Sequence, residues 1–99
     1  MLEQLSLPVF TEHLNTTFRA VPEPGHAVDL VLVQAQDKGS TTRIEQFSVM
    51  FRGPLHTFLP QRLYALEHAV LGSFELFLVP VGKDEDGFRY QAVFNRFRQ

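Results

Sequence analysis

The residues best placed to do chemistry are the four histidines, since the chain has no cysteine to supply a thiolate, a disulfide or a soft metal ligand. His68 is the most suggestive of them. With 61–71 read as a strand, it lies on the face shared by Tyr64, Leu66 and Val70, while Glu67 points to the other side. A general base or a metal ligand in that place needs a hydrogen-bonding partner and an opening to solvent, and the sequence displays neither. The expectation is a buried histidine bonded to backbone. His13 falls in a short helix, His26 follows Pro24-Gly25, and His56 follows Gly53-Pro54. No two histidines stand one helical turn apart, which leaves folding to bring together a pair such as His56 and His68, and no metal is expected.

Other candidates fare no better. Asp84-Glu85-Asp86-Gly87 has the acidity of a calcium loop, but Phe88, Arg89 and Tyr90 follow where oxygen ligands are required, so it reads as a solvated hairpin tip. The six glycines stand singly and make no phosphate-cradling loop. Ser48 and Ser73 lack the strand-to-helix turn of a nucleophile elbow. Glu45, Glu67 and Glu75 are outward strand residues. Arg89, Arg96 and Arg98, interleaved with Phe94 and Phe97, resemble the basic-aromatic surface of a single-strand binder. The acidic loop beside them and a net charge of −2 argue against nucleic acid. A non-enzymatic domain without a cofactor is the reading that remains.

One loop stands out. Residues 55–60 are apolar yet irregular, with Leu55, Phe58 and Leu59 between Gly53-Pro54 and Pro60-Gln61. An apolar loop must be covered either by the domain's own end or by a partner.

The elements that must carry these residues follow from pattern. With 99 residues there is room for one domain, 1–99, and a composition of 44% hydrophobic and 20% charged residues is that of a globular chain. Ten Phe stand against no Trp and two Tyr, which predicts a dry, Phe-rich core. Leu7, Phe10 and Leu14 recur at helical spacing behind Ser6 as cap and Pro8 in the first turn, so a short helix is expected there. Strands are expected at 18–21, 27–36, 43–52, 61–71, 74–81 and 88–95; segment 61–71 also allows a helix with Leu63, Leu66 and Val70 on one stripe, and strand is favoured because only Gly72-Ser73 separates it from the next strand. In 43–52, Phe47, Val49 and Phe51 alternate with Gln46, Ser48 and Arg52; in 88–95, Phe88, Tyr90, Ala92 and Phe94 should point inward. Segment 74–81 has Glu75 as its only polar residue, which predicts cover on both faces, with Pro80 near an edge or strand end. Gly72-Ser73 should form a tight hairpin into it, and 82–87 a loop after it. The fold class is mainly β, a small antiparallel barrel or roll of five to six strands with one short N-terminal helix. Residues 1–4 carry no basic segment leading an apolar run, and no stretch is long enough to span a membrane, so a cytoplasmic location is expected.

The run Phe47 to Pro54, then Leu59-Pro60-Gln61 with Tyr64, Leu66 and His68, then Leu71-Gly72, Phe77 to Gly82 and Tyr90 to Asn95 resembles an uncharacterised family of bacterial domains of about a hundred residues and unknown function. Such domains are often encoded near phage-tail-collar or tail-fibre-like proteins. The resemblance implies a tail-associated assembly or accessory role and supplies no catalytic residues. The function expected is an interaction or assembly module that meets a protein partner or a second copy through a strand edge or the 55–61 loop. The alternative is a small-molecule-binding barrel whose Phe-lined cavity uses His68 or Tyr64 as its polar anchor.

Overall fold

The computed structural model describes residues 5–98; residues 1–4, on which the expectation about a leader rests, and residue 99 lie outside the described part. A helix, α1 (Leu7–Glu12), precedes six strands: β1 (Thr17–Glu23), β2 (His26–Asp37), β3 (Ile44–Gly53), β4 (Arg62–His68), β5 (Gly72–Asp84) and β6 (Gly87–Phe97). All neighbours are antiparallel, and the order β1-β2-β3-β6-β5-β4 closes on itself as a barrel. None of the described helices is long and apolar enough to cross a membrane.

The alternating residues of 43–52 and 88–95 form the longest ladder, which runs from Ile44 opposite Phe97 to Gly53 opposite Phe88. Its inward row holds Phe47 against Phe94, whose rings stack 4.5 Å apart, and Phe51 against Tyr90. Cross-strand aromatic pairs of this kind stabilise a sheet by about 0.2–1 kcal/mol each relative to a pair of alanines. Phe18, Leu30, Leu32, Phe47, Phe51, Leu66 and Leu78 are fully buried, so side chains occupy the barrel's interior. Gly53 is required by space, since a Cβ there would lie 2.9 Å from both the Leu30 side chain and the Tyr90 ring.

Each open end is stopped differently. Ser6 caps α1 by accepting from the Val9 N–H, with a proline in the first turn, and the helix drops Phe10 into one end against Phe18, Phe47 and Phe94. The chain leaves α1 through Asn15, whose φ of 68° is tolerated by asparagine better than by most residues. The opposite end is stopped by the loop between β3 and β4, residues 54–61, which places Leu59 in the core.

Four expectations need correction. Segment 74–81 is not covered on both faces: Phe77 is 50% exposed and pairs with exposed Leu63 on the outer wall. Apolar content alone cannot tell a buried face from an unpartnered one. The hairpin into β5 turns at residues 69–71, not at Gly72-Ser73, because Gly72 takes a φ of +82° and pairs opposite His68. Val70 is thereby carried to the tip and is 72% exposed, off the core face. The loop after β5 shrinks from 82–87 to Glu85-Asp86, since Gly87 supplies the positive φ of a tight return. Finally, an open strand edge is missing, since every strand is paired on both sides for part of its length. Pro80 lies beyond Leu78, where the ladder to β4 ends, beside the β5 bulge.

Candidate functional site

The residues singled out from sequence separate to the two ends of the barrel. His68 ends β4 at the helix-stopped end, whereas Leu55, Phe58 and Gln61 lie in the opposite loop, with Tyr64 just inside it.

At the loop end, two tyrosine hydroxyls fix the backbone. Tyr90, on β6, accepts from the Leu59 N–H at 3.0 Å, and Tyr64, on β4, donates to the Pro60 carbonyl. Both rings are buried, and that burial raises both phenols above their ordinary value. The Leu59 bond partly offsets the rise for Tyr90, and the Arg62 guanidinium partly offsets it for Tyr64. Arg62 lies over the Tyr64 ring at 4.7 Å and donates to the Pro22 carbonyl, which ties the start of β4 to the end of β1. With Leu59 taken inward, Leu55 and Phe58 are left 46% and 53% exposed, Phe58 edge-on to Phe88 at 5.3 Å. Gln61 is exposed beside them. The arrangement is a stiff loop presenting two apolar side chains to solvent. Sequence had marked the loop as apolar; which leucine turns inward was set by the hydroxyl of Tyr90, 31 residues away.

At the helix end His68 is buried. Its Nδ1 accepts from the N–H groups of Val70 and Leu71 at 3.0 and 3.1 Å. Its Nε2 lies 3.0 Å from Thr16 Oγ1, which donates in turn to the His13 carbonyl at 2.6 Å. The Phe18 ring packs on the imidazole at 4.4 Å and the His13 ring meets it edge-on at 4.8 Å. Burial, with His13 adding to it, holds His68 below the ordinary histidine range. The His56–His68 pair entertained from sequence is not formed; His13 is the neighbour, and spacing along the chain gave no sign of it. Among the described residues no group of three or more His, Asp or Glu is placed to hold a metal ion.

A cleft of about 430 Å³ runs outside His68, lined by Thr17, Arg19, Asp29, Glu67, His68 and Ala69. Arg19 and Asp29 pair across it at 3.2 Å, both well exposed. Tyr64 and His68, the expected anchors of an interior ligand, thus have their polar atoms engaged by the protein itself.

The arginines of the basic-aromatic tail are engaged too. Arg89 pairs with Asp84 at 2.9 Å, Arg96 pairs with Glu45 at 2.9 Å and donates to the Leu5 carbonyl, and Arg98 donates to the Thr41 carbonyl. Asp84 also accepts from the Asp86 N–H, so the acidic tip is an internally bonded turn.

No curated protein and no solved structure matches the chain. A family model does match, from Leu5 near the buried start of the chain to Phe94 in the stacked pair with Phe47, and the chain therefore belongs to the family described as a domain of unknown function, DUF6916, over residues 5–94.

Proposed function

We propose that this domain is a protein-interaction module that meets its partner through the 54–61 loop. The observation that carries the reading is the contrast within that loop: its backbone is held by the Tyr64 and Tyr90 hydroxyls, while Leu55 and Phe58 project unburied. Apolar side chains on a fixed backbone lose little freedom on binding, which is the property of an interface anchor. Phe88 beneath Phe58 extends the same apolar surface. Loops placed on a rigid barrel are where binding residues commonly sit. Strand addition does not suit a ring in which each strand already has two partners, so side chains are taken as the means of contact. The resemblance to bacterial domains often encoded near phage-tail-collar-like proteins suggests a cytoplasmic role in tail assembly, with a tail component as the partner.

The test is capture from native cells with the wild type and with a Leu55→Ser/Phe58→Ser double variant, followed by mass-spectrometric identification. Both residues are exposed, so the variant should keep the wild-type thermal midpoint within a few degrees. A partner held by the wild type and lost by the variant supports the loop as the contact. Equal recovery by the two would overturn it. Light scattering over a concentration series addresses self-association, and a mass that stays monomeric throughout removes a second copy as the partner.

A further inference from the structure

The hydrogen-bond directions around His68 fix which of its nitrogens carries the proton. Two backbone N–H groups point at Nδ1, so Nδ1 presents its lone pair to the turn. The neutral ring therefore holds its hydrogen on Nε2 and donates to Thr16 Oγ1, whose own hydrogen goes to the His13 carbonyl. One imidazole thus joins the β4–β5 turn to the linker between α1 and β1, segments 52 residues apart.

We propose that His68 is an acid-released latch: a proton added at Nδ1 frees the turn at residues 69–71, while the Nε2–H bond to Thr16 and the barrel wall stay in place. A protonated Nδ1 is a donor facing two donors, so both turn bonds are lost at once, and the amides of Val70 and Leu71 turn to water. The release needs little other rearrangement, because Val70 is already exposed at the tip.

The groups around the ring set the direction. From β1 comes the apolar Phe18 ring, and from the linker His13, which repels a charged His68. On β5, Gly72 lies opposite, and the first charge along that strand is Glu75, paired with Ala65 two residues further from the turn than Glu67. The outer cleft holds Arg19, Asp29 and Glu67, with Arg19 and Asp29 already paired. Glu67, next along β4, points to the outer face of the strand while the imidazole points inward. Burial and the two amides oppose protonation from inside.

The sign follows. With its folded value below the ordinary 6.5, His68 contributes stability that is complete above that pH and lost as pH falls through the folded value. The experiment is residue-resolved amide exchange of the whole chain, corrected for intrinsic rates, from about pH 7.5 down to about pH 5. Protection at Val70 and Leu71 is expected to fall by about tenfold per pH unit below about 6.5. The amides of Tyr64 and Leu66 in β4 should not follow. His68→Asn places a non-titrating oxygen near the Nδ1 position and should flatten the response, whereas His68→Gln, with its oxygen beyond reach of the turn, should leave both amides open at every pH. Unchanged protection at Val70 and Leu71 while His68 titrates overturns the latch. So does loss at Tyr64 and Leu66 in parallel, which would mean that acid acts on the whole barrel.

Discussion

The two ends of this barrel solve one problem with different physics. At one end Phe10 fills the opening with a ring packed on three other rings, a plug that makes no hydrogen bond of its own. At the other, Leu59 fills the opening, but hydrogen bonds to Tyr64 and Tyr90 hold the chain that carries it. Dispersion and burial are non-directional, so the helix end gains strength without demanding one orientation. Hydrogen bonds contribute less each but fix geometry. The comparison teaches that the helix end is built for stability and the loop end for shape. Display of Leu55 and Phe58 belongs to the second.

That contrast can be broken at several points, in descending order of effect. Gly87→Ala should prevent folding or cost at least about 4 kcal/mol, because its φ is +145° and a Cβ would meet the Gly53 carbonyl oxygen at 2.1 Å. Failure of the variant to express as folded protein, or a collapsed urea midpoint, is the readout, and a near-normal midpoint would show that the β5–β6 return has slack. Phe10→Ala should cost about 3–5 kcal/mol by urea unfolding, the range for emptying a fully buried ring site. If Phe10→Ala proves cheaper than Tyr90→Phe, the assignment of strength to the helix end is wrong.

Tyr90→Phe should cost about 1–3 kcal/mol by leaving the buried Leu59 amide without its acceptor. Tyr64→Phe should cost about 1 kcal/mol or less, since Pro60 is exposed and water can replace the hydroxyl. A reversed order would move the anchor of the loop from β6 to β4. Alkaline titration sharpens the same point. Both phenols are raised in the folded state, so their contribution is complete below the ordinary value of 10.0 and is lost as pH rises through the folded values. Tyrosinate absorbance should appear together with unfolding, and Tyr90→Phe should weaken that coupling. The smallest effect belongs to Asp29→Ala, within about 0.5 kcal/mol, because its pair with Arg19 is exposed on both sides.

Much of the wall was readable in the chain. Phe47, Val49 and Phe51 alternate because one face of β3 is the core, while Gln46, Met50 and Arg52 on the other stay partly exposed and Ser48 alone among them is buried. The helix was readable from Ser6, Pro8 and Phe10 for similarly local reasons. What stayed hidden depends on residues distant in sequence. Phe77 and Phe74 look alike as letters, yet one is outside and the other packs on the core, a difference of parity against a register that β4 imposes. Val70 was misplaced because β4 ends at His68 and the turn takes up residues 69–71, which puts Val70 at the tip rather than on the core face. His68 was legible as a backbone-bonded residue, but its partner Thr16 was not, since nothing local in either segment announces the other.

The shortest ladder in the ring carries a last consequence, for the strength of its closure. Closure rests on three pairs between β1 and β4, Arg19 with Glu67, Ala20 with Leu66 and Val21 with Ala65. Those rungs join stretches separated by two complete strands, so their closure costs more chain entropy than that of the β1–β2 or β4–β5 hairpin. With three pairs to offset that cost, the seam is expected to be the weakest join of the ring, its amides exchanging before those of the β3–β6 ladder.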